Sequence, residues 1–313
     1  MNRGTSKYGR AGGCWPSQSQ ALLLRAALLG KDAVHDAWSR WKQTASLEAI
    51  DPGSYRLLPL VYRNLTLVGV NDPLLARLKG VYRNTWYRNQ IAMRDLAVSL
   101  RTLDAAGIRL LLLKGLALNH LYYRDLGLRP MADADVCVPL ENATAAVAVL
   151  QRLGWRPDFP WSEKPWSEKR LDALHALGFH NAAGQAIDLH WHVLPESVGR
   201  HGDDAFWAAA RPTAVADIRV YMLDPTDELF HTCAHGVRWN AVPPLRWVAD
   251  AFTILRTTPD DIVWERVVAA AQRHRLTLPI RRALRYLQTQ FEVAVPPAVL
   301  EQLDRLPVSF GST

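Results

Sequence analysis

Residues 127–140 read GLRPMADADVCVPL, a turn signal followed by two aspartates and a short apolar run. Asp133 and Asp135 stand one residue apart where the run begins. Alternate residues of a strand project to one side, so the spacing predicts two carboxylates on one sheet face. Ionised at that range they repel, and one takes up a proton unless a cation intervenes. A divalent ion resolves the conflict, and Mg²⁺ favours one or two carboxylates plus substrate phosphates over an all-protein cage. The alternative is a turn carrying two solvated aspartates.

The neighbouring sequence adds cations and a third acid. Residues 107–115, GIRLLLLKG, form an apolar run that suits a buried strand and ends in Lys114-Gly115. Glycine at such a step lets backbone approach a phosphate, and the ammonium offsets its charge. We therefore expect Lys114 and Arg129 on phosphate charge, with Gly115 permitting close approach and Arg124 nearby. Each arginine has the alternative of a structural carboxylate pair, which for Arg124 is the favoured reading. Residues 186–193, AIDLHWHV, place Asp188 on a later strand with Ile187 and Leu189 facing away. Three carboxylates beside Lys and Arg are what metal-assisted phosphoryl or nucleotidyl transfer needs. By the same period of two, His190 and His192 share the face of Asp188, and His190 is a candidate for positioning substrate. Trp191 points to the core.

Further outward the chain reads as four segments. Residues 1–18, rich in Gly, Ser and basic side chains, are expected to be a mobile tail. Residues 19–106 carry helical periodicity, with Asp72-Pro73 as a helix start. Residues 107–225 alternate strand and helix patterns, including a helix closed by Gly154 and a hairpin turning at Ala182-Ala183-Gly184. Residues 226–313 are helical again. The expected fold class is α+β, a small mixed-sheet core flanked by N-terminal and C-terminal helical segments. The doubled WSEK at 161–169 reads as a surface loop whose Trp161 and Trp166 have the option of stacking on a base. Trp38, Trp41, Trp86, Trp239 and Trp247 read as packing residues.

Composition bounds the function. The 313-residue chain is 49% apolar, enough for a real core. Its formal charge of +7 is scattered, which tilts only slightly toward anionic ligands, and a nucleic-acid partner is not expected. Three unpaired cysteines suit a reducing compartment. The run ALLLRAALL is broken by Arg25 and reads as an amphipathic helix, so a soluble cytoplasmic protein without membrane contact is expected. The chain contains neither GxSxG nor GxGxxG.

Taken together, LLLLKGLALNHLYYRDLGLRPMADADVCV and IDLHWHV resemble the uncharacterised-type nucleotidyltransferases of the DNA polymerase β-like superfamily. Similarity extends over most of residues 20–260. Ala132, Ala134 and Cys137 depart from the pattern without removing a charge, and Lys-Gly replaces the superfamily's Gly-Ser. The resemblance implies an enzyme that moves an NMP from an NTP, such as ATP, to a hydroxyl-type acceptor with pyrophosphate release. The acceptor is a small molecule or a peptide or protein. Asp133 and Asp135 would hold Mg²⁺ (or Mn²⁺), and Asp188 would complete a second metal site and help deprotonate the acceptor. Two rivals stand beside it. One is a regulatory module that binds nucleotide without turnover; the other is a His/Asp phosphohydrolase built on His231, His235 and Asp250, although HTCAH lacks the glutamate of HExxH.

Overall fold

The computed structural model describes residues 13–158, 174–238, 240 and 243–307. The WSEK doublet with Trp161 and Trp166, Trp239 and most of the expected N-terminal tail lie outside them. By contacts the chain divides into two units. One comprises residues 1–85, 127–129 and 232–313; the other comprises 86–126 and 130–231.

The second unit carries the sheet. Its strands are β1 (Leu111–Leu112), β2 (Ala134–Cys137), β3 (Arg156–Pro157), β4 (Ala176–His180), β5 (Ala186–His190), β6 (Arg211–Val215) and β7 (Ile218–Met222). They form one seven-stranded sheet in the order β3-β4-β5-β2-β1-β7-β6. β2 runs parallel to β5 and antiparallel to β1, while β1 runs parallel to β7, so the sheet is mixed. The buried-strand reading holds for the leucines: Leu110 to Leu113 are buried and β1 lies inside the sheet, while Arg109 is exposed. β4 and β5 form the expected hairpin, with Gly184 at φ 75° in its turn.

One sheet face is apolar. Val136, Leu177, Phe179, Ile187, Leu189, Trp191 and Val220 pack there with Leu96 and Leu100 and with Val147 and Leu150. The first pair belongs to the helix Leu75–Ala105 and the second to the helix Ala143–Arg152. Gly154, at φ 86°, follows the latter as its stop signal predicts. The opposite face carries Asp135, Asp188 and His190, because alternation that sends Val136, Ile187 and Leu189 inward sends these the other way.

The first unit is helical. Its helix Gln18–Leu28 opens with a capping box between Ser17 and Gln20 and buries Leu22, Leu23 and Ala26, as its amphipathic pattern predicts. Trp38 and Trp41 stack at 5.2 Å between centroids inside this unit. Trp86, on the helix Leu75–Ala105, is 46% exposed and so is not the packing residue expected of it. Asp72 caps the entry to that helix, accepting from the Leu74 amide, and also accepts from Trp38 Nε1. No described helix is long and apolar enough to cross a membrane.

Candidate active site

Asp135 sits at the centre of β2 and is 2% exposed. Register places it directly beside Asp188 on parallel β5, and His190 beside Cys137. Sheet pairing therefore assembles the acids; no loop has to hold them. Asp188 is half-buried, and its carboxyl is pushed up by burial first, then by the charges of Asp135 and Asp133. Burial works against the Asp135 charge as well. There the bond from His190 and the ammonium of Lys114 outweigh burial and hold the carboxyl well below the usual range. Two neighbouring carboxylates are thus driven in opposite directions by their surroundings, the pattern found where acids are set to different tasks.

The cations are local. Lys114 Nζ lies 2.6 Å from Asp135 Oδ1, and His190 Nε2 lies 3.2 Å from the same oxygen. Lys114 occupies the junction between β1 and the short helix Lys114–Leu118, and it does so at φ 47°. A left-handed lysine costs conformational energy that Gly would not. The strained residue of the Lys-Gly step is therefore the one whose side chain enters the site, and Gly115 is a buried helical residue.

The other expected residues are placed as follows. Asp133 precedes β2 by one residue, half-buried, and lines an open cleft of about 270 Å³ together with Arg88, Asp95, Met131 and Gln185. Arg129 is buried, and its Nε and Nη2 bond both oxygens of Asp250 at 2.8 and 2.9 Å. That is the structural-pair alternative. Arg124 is exposed at φ 52°, with Nε donating to the Leu121 carbonyl. His192 leaves the face of Asp188. The amides of Trp191 and His192 both bond the His175 carbonyl, a bulge that breaks the period of two. Its Nδ1 then meets Asp203 at 2.6 Å.

Two residues of the site carry no signal in the sequence. Gly178 faces Asp188 across β4 and β5. A Cβ there would stand 3.4 Å from Asp188 Oδ1 and 2.2 Å from Asp158 Oδ2, so Gly178 keeps the approach to Asp188 open. Asp158 in turn bonds His180.

Among the described residues, Asp135, Asp188 and His190 form the one group of acids, histidines and cysteines whose ligand atoms all lie within 4.8 Å of each other. The donor set fits a divalent ion: two carboxylates and an imidazole whose Nε2 faces Asp135. His231 and His235 gather no such group, and Asp250, the third ligand a phosphohydrolase would need, is held by Arg129.

Residues 54–292 match the uncharacterised nucleotidyltransferase family. No curated protein matches the chain. Among solved structures the fold is similar to the antibiotic-resistance factor ANT(2'')-Ia, at 15% identity and a TM-score of 0.41, over 65% of this chain and 96% of that one. It is also similar to an antigenic nucleotidyltransferase-like protein from Paracoccidioides brasiliensis, at 13% identity and a TM-score of 0.40, over 68% and 92%. At these values neither neighbour adds to the assignment, which rests on the family match. That match takes in the Lys-Gly step, Asp133, Asp135 and the later Asp188; the chain belongs to the uncharacterised nucleotidyltransferase family and is a transferase of nucleotidyl groups.

Proposed function

We propose that the chain transfers an NMP from an NTP to a hydroxyl-type acceptor, a small molecule or a peptide or protein, with pyrophosphate as the leaving group. The observation that carries this reading is the buried Asp135 paired in register with a half-buried Asp188 whose carboxyl is raised, with Lys114 bonded to Asp135. A divalent ion, Mg²⁺ or Mn²⁺, would be held by Asp135 and Asp188 and would supply charge neutralisation at the triphosphate. Asp133 lies close enough to Asp188 to raise its carboxyl and is available to a second ion.

The chain's own groups divide the remaining work. Lys114 holds Asp135 in the resting protein and moves its ammonium to the phosphates when nucleotide arrives. Asp188, with its raised proton affinity, accepts the proton of the acceptor hydroxyl. The hydroxyl oxygen then bonds the α-phosphorus in line, and the bond from that phosphorus to the pyrophosphate oxygen breaks. Lys114 faces the charge that develops on the leaving group. Arg129 takes no part, because its guanidinium is committed to Asp250.

Calorimetry with ATP, GTP, CTP and UTP, with and without Mg²⁺, on the wild type and on Asp133→Ala/Asp135→Ala tests the reading. One NTP should bind, and should need both the ion and the aspartates. Binding that persists in the double variant, or no binding to any NTP, would overturn it. NTP binding without turnover on any acceptor panel would instead support the regulatory alternative.

A further inference from the structure

The third member of the carboxylate cluster is a histidine. Asp133, which the spacing of the sequence pairs with Asp135, stands ahead of the strand and lines an open cleft. His190 occupies the place beside Asp135 and Asp188 instead, 3% exposed and with Nε2 3.2 Å from Asp135 Oδ1. Two ligands each about 2.1 Å from one ion, at right angles, stand about 3 Å apart, so this separation already suits shared coordination.

The ring is incomplete on protein groups alone. With the proton on Nε2, that nitrogen donates to Asp135 and leaves Nδ1 a buried lone pair that nothing bonds. With the proton on Nδ1, that nitrogen is still buried without a partner, and a lone pair on Nε2 faces the carboxylate, which is favourable only with a cation between them. Lys114 supplies a cation to the same oxygen, but from the partly exposed side, and its ammonium has the triphosphate as a competing partner.

From this the geometry points to His190 as a direct ligand of the catalytic ion, giving a two-carboxylate, one-imidazole centre that prefers Mn²⁺ or another first-row transition ion to Mg²⁺. The inference rests on the metal-dependent reading above and concerns which ion that reading uses. Replacing a third carboxylate by imidazole removes one negative charge, which weakens the hold on hard, strongly hydrated Mg²⁺. It also adds a nitrogen donor, which favours ions later in the divalent series. The bulge at Trp191 and His192 ends the strand just past His190, so His190 is the last residue of β5 whose side chain this face can use.

The test uses the full chain and Mn²⁺ alone as probe. Electron spin-echo spectroscopy of the Mn²⁺-loaded protein should show nitrogen modulation, and labelling the protein with ¹⁵N-histidine should change its frequency. His190→Asn should remove the modulation and lower Mn²⁺ affinity by about tenfold or more, with Mg²⁺ affinity falling by less than about threefold. His175→Ala, which alters the ring packed against His190, should keep the modulation. Bound Mn²⁺ with no nitrogen modulation in the wild type overturns the inference, as does modulation that follows His175. Even if His190→Asn does not fold, bound Mn²⁺ whose modulation is absent or unchanged by ¹⁵N-histidine labelling of the wild type overturns the inference. NMP transfer without nitrogen modulation would sink His190 while leaving the transferase reading intact. Modulation without NTP binding would do the reverse.

Discussion

Asp135 and Asp250 are both buried aspartates, 2% and 4% exposed, and both meet a cation. Their surroundings differ in kind. Asp250 receives the fork of a buried arginine, two bonds from one rigid group that is itself out of solvent. Asp135 meets a flexible lysine that is 22% exposed and the ring of His190 at one oxygen, and it has a second carboxylate alongside. A bidentate pair closes on itself and leaves nothing for a ligand. A single ammonium beside surplus negative charge leaves a deficit that a divalent ion fills. Burial alone does not separate a structural acid from a working one; how completely its charge is answered does.

The largest effect should come from removing the Asp135 charge. Asp135→Asn is expected to lower NMP transfer by about a thousandfold or more, the loss of several kcal/mol of charge stabilisation. The metal-free protein should meanwhile unfold at a somewhat lower denaturant concentration, since the ionised Asp135 answers Lys114 and His190 and its lowered carboxyl contributes stability. Single-turnover assays with denaturant melts check both. A stability loss larger than the activity loss would erase the contrast with Asp250.

Arg129→Ala should show the opposite profile. It strands a buried charge on Asp250, which costs about 3–5 kcal/mol of stability in urea melts. A double change, Arg129→Met with Asp250→Leu, is expected to recover most of it, because burying apolar side chains of similar size avoids the desolvation of two ions. NTP affinity of the folded protein should not move. If the double variant folds and has lost NTP binding, Arg129 serves phosphate after all and the two aspartates are not different in kind.

Third comes pH. Asp188 has its folded value raised above the ordinary 3.8, so the native state holds its proton more tightly and metal-free stability falls as pH rises through that value. Asp135, lowered from the same 3.8, contributes the reverse: stability present above the unfolded value and lost as pH falls through the folded one. Asp188→Asn should therefore gain stability over the wild type progressively as pH rises from the acid side, and a saturating divalent ion should abolish the gain. Melts run across pH with chelator and with Mn²⁺ measure it. A pH-independent difference would mean that the carboxylate crowding is absent.

These cases also show what was legible beforehand. The strand pair and its acids were, because a period of two in ADADVCV and AIDLH fixes which side chains share a face once the strands pair in parallel. The family resemblance rested on the same residues. Partners far along the chain were not legible: Arg129 and Asp250 are 121 residues apart, and nothing local in LRPM distinguishes a fork bound for phosphate from one bound for carboxylate. His192 was misplaced by a bulge, which inserts one residue and so reverses the alternation beyond it. Asp133 was read on the strand when it stands one residue ahead of it, and His190 thereby became the closer neighbour of Asp135.

Gly178 offers the finest test, because it touches the working acid without carrying a charge. It pairs with Asp188 across β4 and β5, and a methyl there would press on Asp158 Oδ2 and come into contact with Asp188 Oδ1. Asp158 is more than half exposed and can rotate away, losing its bond to His180, an exposed pair worth at most about 1 kcal/mol. Gly178→Ala should therefore barely alter stability. Its effect should fall on Asp188: the methyl displaces water from one carboxylate oxygen, and burial is already the largest influence raising that carboxyl. Divalent-ion affinity should drop by a few-fold, and the pH at which metal binding is half-maximal should shift upward. A Gly178→Ala protein with unchanged metal affinity and a lost fold would mean that the glycine serves the strand pairing and not the acid it faces, which would narrow the site to the residues that β2 and β5 themselves present.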